Sequence, residues 1–474
     1  MTDAPAGPGR GHRHHRDPTT SSSVTTGRSE RVGWYFYDWA NSAFYTSVVT
    51  VFLGPYLGAV ARRAAGCTDP ADVAAGCPGA RLYPLGIPVA PGSVFAYTIS
   101  LSVLLSVVVL PVVGAVADRS AHKRVLLAAF AYLGAGATIG MVFLTGTRYL
   151  LGVGLFLVAN IAFSAGVVVY NSFLPQIAAP EERDAVSSRG WAVGYLGGGL
   201  LLALNLVAVL YQDALGLDTA DVARWSIVSA GVWWAAFTLV PLRRLRDRPP
   251  APDSVARGSV LTAGFRQLAA TLRELRGYPH TMLFLAAFLI YNDGVQTVIA
   301  LASVYGVDEL GLPDTVLVPT ILMVQFLAFA GALLLGAAAR RIGARATVLA
   351  SLVIWTALLV AAYVIPARQV VPFVALAAGI GLVLGGSQAL SRSLYSHLIP
   401  AGREAQYCAL YEISDRGTSW LGPLLFGLAY QATASYRLAI LSLVVFFVVG
   451  FVLLALVPLR SAITQAGNVP PPRL

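Results

Sequence analysis

The sequence predicts an all-α membrane protein with twelve transmembrane helices arranged as two six-helix pseudo-repeats. Eleven stretches of at least eighteen residues contain no Asp, Glu, Lys, Arg or His, and a twelfth, 281–307, is interrupted only by Asp293. About 20 apolar residues cross the hydrocarbon core as a helix, so each stretch is a candidate span. The uninterrupted stretches are 39–61, 82–117, 125–147, 149–180, 190–212, 225–242, 315–339, 346–367, 369–391, 417–436 and 438–459.

The composition excludes a soluble enzyme. The chain is 57% hydrophobic and 12% charged, whereas soluble domains are about 25% charged. The single lysine, Lys123, follows His122, so the Gly-Lys-Ser/Thr of an ATP-binding phosphate loop cannot be written. We recognise no metal-ligand spacing, cofactor motif or nucleophile triad, and therefore expect no metal, no cofactor and no enzymatic activity. Any transport must then be driven by a substrate or ion gradient.

The net charge of +10 follows membrane orientation rather than nucleic-acid binding. With a cytoplasmic amino terminus and alternating spans, 26 of the 33 Lys and Arg residues fall on the cytoplasmic side. This positive-inside pattern predicts a multi-pass protein of the cell membrane with both termini in the cytoplasm. Some of the basic residues would also attract anionic lipid headgroups. The outward residues are Arg62, Arg63, Arg81, Arg148, Arg224, Arg368 and Arg437.

The chain divides into five predicted segments. Residues 1–31 are polar and rich in Arg, Ser and Thr, so we expect a disordered cytoplasmic tail. Six-helix bundles are expected over 32–242 and 281–460, joined by a cytoplasmic linker, 243–280. Residues 461–474 form a second cytoplasmic tail.

The linker contains a predicted amphipathic helix. Its apolar residues recur at steps of four and three, with arginines on the rest of the wheel, which is typical of a helix lying on the membrane surface. Docking onto a cytoplasmic partner is the alternative. The apolar positions are Leu261, Phe265, Leu268, Leu272 and Leu275.

Three cysteines are present. Cys67 and Cys77 lie in the first predicted outward loop, 61–92, where oxidation is possible. Their spacing permits a disulfide without deciding whether one forms. Cys408 is expected to face the reducing side and to serve packing.

The two halves echo each other. Segments between spans two and three and between spans eight and nine match 222 positions apart, and polar triplets in spans one and seven match 255 positions apart. The additional 33 positions fit the first outward loop, which the second half lacks. A six-plus-six duplication with a cytoplasmic linker is the major facilitator architecture. The matched segments are 114–119 with 336–341, and Asp38, Asn41 and Ser42 with Asp293, Gln296 and Thr297.

Asp293 is the strongest candidate for chemistry. A carboxylate near the bilayer centre costs about 2.5 kcal/mol or more on insertion scales. An apolar site favours the protonated form, so such a group can take up and release a proton near neutral pH. Asp293 is therefore predicted to couple protons or bind a cationic group. The alternative is a structural acid hydrogen-bonded to a neighbouring span.

Other polar residues are predicted to line the substrate path. Asp38 lies nearer the membrane edge, where a structural ion pair is an equal alternative. Glu412 and Arg416, four residues apart, can pair within one helix, which favours a structural role for that segment. Arg392 could hold a substrate carboxylate or cap a gate. The complete set of candidates beside Asp293 is Asp38, Asn41, Asn292, Gln296, Arg392, Tyr170, Asn171, Glu412 and Asp415.

The loop between spans two and three resembles the signature loop of major facilitators. It reads Asp118-Arg119, followed by Lys123-Arg124, after Gly114. In that family the Asp and Arg latch the cytoplasmic sides of the two halves together. The resemblance therefore implies that Asp118 and Arg119 form a gating latch.

Four segments resemble the vacuole-effluxer family of major facilitators, which is named for vacuolar amino-acid exporters. Tyr37-Asp-Trp-Ala-Asn-Ser-Ala-Phe44 corresponds to its span-one hallmark. The others are 170–175 with the Gly-rich start of span five, 388–394, and the Leu-Gly-Pro segment 421–427. The resemblance covers residues 34 to 460 and implies amino-acid export. Glu412 and Asp415 depart from the family pattern before the Leu-Gly-Pro segment.

Together these features predict a secondary active transporter of small polar metabolites. Amino-acid efflux coupled to protons is the favoured activity, and a monomer is the expected state. One alternative is an exporter of hydrophobic or lipid-like solutes, which would have an aromatic cavity and would tolerate neutralisation of Asp293. A second alternative is a non-transporting sensor that signals through residues 243–280.

Overall fold

The computed structural model describes residues 18–74, 76–178, 183–249, 275–399 and 419–468, together with five isolated positions. Regular secondary structure in these ranges is helical, apart from one isolated bridge between Leu82 and Val89. Eleven of the described helices are long and apolar enough to cross a membrane. The prediction of an all-α membrane protein is confirmed.

The first half contains six membrane helices, named α1 to α6. Helix α1 is continuous through a π-helical segment near its middle, where the wider turn changes which side chains share a face. The bounds are α1 Pro18–Ala43 continued by π-helical Phe44–Phe52 and by Leu53–Ala64, α2 Val94–Arg119, α3 Lys123–Gly140, α4 Tyr149–Asn171, α5 Arg183–Leu210 and α6 Thr219–Arg244.

The second half contains α7 to α12. Helix α11 has 13 described residues, about 20 Å at 1.5 Å per residue, so this part alone does not cross the bilayer; residues 412–418 lie outside the described ranges. The bounds are α7 Pro279–Val304 continued by π-helical Tyr305–Glu309, α8 Asp314–Ile342, α9 Ala344–Val364, α10 Val370–Ser396, α11 Leu421–Thr433, and α12 Tyr436–Ser442 with Val444–Leu456.

Two of the predicted cytoplasmic segments differ from the structure or fall outside it. Helix α1 begins at Pro18, inside the segment 1–31 that was expected to be disordered. Part of the reason is tertiary: Glu30 is buried and pairs with Arg248 at 2.7 Å, which fixes this end of α1 against the chain that follows α6. Of the apolar positions in the predicted linker helix only Leu275 is described, and it is buried.

Glycines bring neighbouring helices together within each half. A methyl group on Gly197 of α5 would lie 2.5 Å from the carbonyl oxygen of Trp39 in α1. On Gly385 of α10 it would lie 2.0 Å from the carbonyl oxygen of Ala328 in α8. Small residues permit such contacts in lipid, where packing replaces the hydrophobic effect.

The two ends of the bundle differ. Cys67 and Cys77 form a disulfide at one end, which we call the disulfide end. The loop that contains this bond reaches the second half, because Tyr430 Oη donates to the Gly76 carbonyl at 3.4 Å and Gln431 Nε2 donates to the Pro88 carbonyl at 3.2 Å. The opposite end, where α6 leads into residues 243–280, is the linker end.

Candidate functional site

A cavity of about 300 Å³ lies between the two halves. Helices α1, α2, α4 and α5 line it on one side, and helices α7 to α10 line it on the other, together with residues around α11. Both halves therefore contribute to one chamber, as expected for a transporter whose halves rock around a central site.

The cavity lining is polar in a specific way. Its charged side chains are one carboxylate, Asp38, and one guanidinium, Arg392. Six carboxamides accompany them, and three of these, Asn160, Gln325 and Gln388, were missed from the sequence. Gln388 had a detectable signal, since it precedes Arg392 by four residues and so shares its helix face. The carboxamides are Asn41, Asn160, Asn292, Gln296, Gln325 and Gln388.

Asp38 is held by aromatic residues behind it. The Tyr170 hydroxyl donates a hydrogen bond to Asp38 Oδ2 at 2.7 Å. Trp34, one turn before Asp38, stacks on the Tyr170 ring with centroids 4.2 Å apart, and its Nε1 donates to the Tyr170 carbonyl at 3.0 Å. Tyr170 thus orients the carboxylate without itself lining the cavity, and the sequence segments 34–44 and 170–175 meet at this point.

Arg392 reaches the other half through an aromatic ring. Its Cζ lies 5.6 Å from the centroid of Trp191 in α5, within cation–π range. Gly190, the neighbour of Trp191, packs on Asp38: a methyl group there would lie 3.0 Å from Asp38 Oδ2. One turn of α5 therefore contacts both the anionic and the cationic residue of the cavity.

Asp293 does not line the cavity, although its neighbour Asn292 and Gln296 on the same helix do. Its buried carboxylate faces the start of α11, where the Gly422 backbone N lies 3.1 Å from Oδ1 and 3.0 Å from Oδ2. Thr297 Oγ1 lies 3.5 Å from Oδ1 and donates to the Asp293 carbonyl at 2.7 Å. The acid thus accepts from a helix N-terminus, where unpaired N–H groups favour negative charge.

Glycine is required at position 422 for this contact. A methyl group there would lie 2.0 Å from Thr297 Oγ1 and 2.9 Å from Asp293 Oδ1. The start of α11 also contacts the first half, because Ser100 Oγ of α2 donates to the Trp420 carbonyl at 2.9 Å. The beginning of α11 therefore links Asp293 to α2 across the interface between the halves.

The remaining predicted site residues lie elsewhere. Asn171 ends α4 and does not line the cavity. Glu412 and Asp415 lie outside the described residues, as does the side chain of Asp118. Arg119 is the last residue of α2.

The signature loop nevertheless has well-defined neighbours. Lys123 is buried, with Nζ 3.4 Å from the Ser172 carbonyl oxygen. The Arg124 backbone N donates to Asp247 Oδ1 at 2.9 Å. These contacts fix the loop against α4 and against the chain that follows α6.

Comparisons of the sequence place this cavity in a known context. The family model described as "Vacuole effluxer Atg22 like" matches residues 26–467. The chain is 28% identical over 442 residues to the uncharacterized MFS-type transporter YxiO of Bacillus subtilis (strain 168), covering 92% of this chain and 96% of that protein. It is 29% identical over 469 residues to autophagy-related protein 22 of Yarrowia lipolytica, covering 80% and 78%.

Comparisons of the structure agree on the fold. The nucleoside transporter NupG matches with a TM-score of 0.62 and 12% identity, covering 92% of this chain and 99% of that chain. The xylose transporter XylE from E. coli, in an inward open conformation, matches with a TM-score of 0.58 and 13% identity, covering 92% and 96%. At these identities the likeness extends to the fold alone.

Proposed function

The chain belongs to the Atg22-like vacuole effluxer family and is a membrane transporter of the major facilitator type; from this premise we propose that it exports amino acids and couples their export to protons. The observation that carries the proposal is the opposite charge of Asp38 and Arg392 in one cavity, on either side of the same turn of α5. An amino acid carries the complementary pair of charges.

The binding mode follows from the chemistry of these groups. Asp38, oriented by Tyr170, accepts hydrogen bonds from the substrate ammonium group. Arg392 binds the substrate carboxylate, which the planar guanidinium can contact through two parallel hydrogen bonds. The carboxamides bind the remaining polar atoms. The cavity volume of about 300 Å³ lies at the small end of the range of small-molecule pockets.

Asp293 is proposed as the coupling acid, acting beside the cavity rather than inside it. When protonated, the group loses its negative charge and becomes a weaker acceptor for the Gly422 N–H. Because the same start of α11 contacts α2 through Trp420 and Ser100, a change at Asp293 reaches the interface between the halves. Proton binding would thereby bias the exchange between inward-facing and outward-facing states.

The proposed orientation places the linker end in the cytoplasm and the disulfide end outside. The distribution of Lys and Arg supports this placement, with both termini cytoplasmic. The disulfide between Cys67 and Cys77 is consistent with an oxidising exterior. We place the protein in the cell membrane and propose that it works as a monomer, with Asp118 and Arg119 as the cytoplasmic latch.

A second candidate function rests on the aromatic residues of the same cavity. Nine aromatic side chains line it, as expected for an exporter of hydrophobic solutes. The charged pair and the six carboxamides favour a zwitterion, since a lipid-like solute would leave them without partners. The aromatic set is Tyr45, Phe156, Phe163, Trp191, Tyr195, Phe288, Tyr305, Phe373 and Tyr411.

The test is efflux from proteoliposomes that contain the purified protein and a labelled mixture of amino acids. Release is followed with and without an imposed pH gradient for the wild type and for Asp38→Asn, Arg392→Lys and Asp293→Asn. We expect Asp38→Asn and Arg392→Lys to abolish release under both conditions, and Asp293→Asn to abolish only its dependence on the gradient. Asp69→Asn, in the exposed disulfide loop, is the control.

The outcomes separate the candidates. Absence of amino-acid release by the wild type in either gradient direction would refute the amino-acid proposal. Release of a lipid-like probe that survives both Asp38→Asn and Arg392→Lys would support the hydrophobic exporter instead. Equal gradient dependence in the wild type and in Asp293→Asn would return that residue to a structural role.

A further inference from the structure

We infer that Arg62 and Asp308 form the exit gate at the disulfide end, closing it in the state seen here and separating each time that end opens. Arg62 lies in the last part of α1, and Asp308 lies in the π-helical end of α7. The two residues belong to different halves of the molecule. The inference rests on the proposed transport cycle but not on which solute is carried.

The pair has the geometry of a strong ionic contact. Arg62 Nη1 lies 2.9 Å from Asp308 Oδ2, and Nη2 lies 3.0 Å from Oδ1, so two parallel hydrogen bonds join the groups. The side chains are only 13% and 7% exposed. The contact therefore excludes water from the interface between α1 and α7.

Further contacts between the halves surround this pair. Tyr436 Oη of α12 lies 3.4 Å from Asp308 Oδ2 and 3.2 Å from the carbonyl oxygen of Gly92 in the first half. Ser93 Oγ donates to the Gly427 carbonyl at 2.8 Å. A methyl group on Gly92 would lie 2.4 Å from the Tyr430 ring, so the halves touch closely here.

A second ion pair at the same end serves as an internal contrast. Arg437 Nε lies 2.9 Å from Glu309 Oε1, and both residues belong to the second half. A rigid-body movement of one half against the other leaves this pair intact, whereas it must separate Arg62 from Asp308. Only the pair between the halves can therefore report and control closure.

An ionic contact suits a gate that must open repeatedly. In the closed state the charges are partly desolvated and compensate each other. In the open state water reaches both groups and replaces the lost contact. Neutralising one member removes the compensation from the closed state alone, and so it should shift the population toward the open state.

The test measures access to the cavity from each side and needs no substrate. Thr320→Cys places a thiol on the cavity wall, and Cys408→Ser removes the cysteine outside the disulfide. Labelling by a membrane-impermeant maleimide is compared in right-side-out and inside-out vesicles. We expect Asp308→Asn and Arg62→Asp each to raise labelling from the disulfide end about tenfold, because each leaves one buried charge unpaired.

The exchanged pair Arg62→Asp with Asp308→Arg is expected to restore the wild-type labelling rate, which a general loss of folding would not do. Glu309→Gln, which breaks the pair within one half, and Arg63→Asp, at the exposed neighbouring position, should leave labelling unchanged. The inference is overturned if the single variants label like the wild type, or if Glu309→Gln and Arg63→Asp raise labelling as much. These results do not depend on amino-acid release, so the gate and the proposed function can fail separately.

Discussion

Asp38 and Asp293 occupy matching positions in the two repeats but have different surroundings. Asp38 lines the cavity and is oriented by the Tyr170 hydroxyl. Asp293 is buried away from the cavity and accepts from the Gly422 backbone N–H. The duplicated helix thus carries a carboxylate that faces the proposed substrate in one half and the neighbouring helix in the other. This difference separates solute binding from proton coupling in space.

The cause is a rotation of α7 about its own axis relative to α1. In α1 the cavity face includes Asp38 and Asn41, whereas in α7 it includes Asn292 and Gln296. Asn41 and Gln296 are matched by the repeat and line the cavity in both halves. Asp293 is one residue from Asn292, about 100° around the helix, and so lies outside that face.

The strongest test of this contrast is Asp38→Asn. Solute exchange without a gradient should fall about a hundredfold, because removing one partner of a buried charge pair costs about 2–5 kcal/mol. The measurement is counterflow of labelled solute in proteoliposomes. Exchange within a factor of two of the wild type would mean that Asp38 is not a binding group.

Asp293→Asn should have the complementary effect. Exchange is expected to persist, while accumulation driven by a gradient of one pH unit falls about tenfold per coupled proton, since that gradient corresponds to about 1.4 kcal/mol. Solute accumulation is measured at fixed membrane potential. Loss of exchange to the level of Asp38→Asn would place both acids in the same role.

Gly422→Ala tests the backbone contact of Asp293. The added methyl group would collide with Thr297, and overpacking of this kind destabilises by about 1–3 kcal/mol. Thermal unfolding in detergent should show a lower Tm. Gly136→Ala is the matched control, since a methyl group there meets no atom within 4 Å; a Tm equal to that of this control would argue against a close contact at position 422.

Tyr170→Phe should produce the smallest change. It removes the hydrogen bond to Asp38 and leaves the ring stacked on Trp34, so a loss of about 1 kcal/mol is expected. This should appear as an increase in KM of about fivefold with little change in kcat. Tyr132→Phe, on the exposed surface of α3, should leave both constants unchanged. A large fall in kcat would mean that the tyrosine does more than orient Asp38.

The helices were predictable because the bilayer imposes a length on each of them. Charge-free stretches located the spans, and the stretch 281–307 with its single acid corresponds to α7. Polar residues of the cavity such as Asn41, Asn292, Gln296 and Arg392 were also found from their helical spacing.

The partners of each face were not predictable. Spacing of three and four residues shows which side chains share a face, but it does not show what the face contacts. The grouping of Asp293 with Gln296 and Thr297 therefore could not reveal that Gln296 faces the cavity while Thr297 faces α11. Gln325 and Asn160 had no local partner in the sequence, and only the assembly of both halves brings them into the cavity.

The six carboxamides around the cavity also determine how firmly a solute can be held. Each amide group needs hydrogen-bond partners, so water solvates the lining whenever no solute is bound. Entry of a solute then exchanges hydrogen bonds with water for hydrogen bonds with the solute, and the net gain from each exchange is small. Such a lining favours modest affinity and rapid release. A carrier that must discharge its cargo on the far side in every cycle benefits from both.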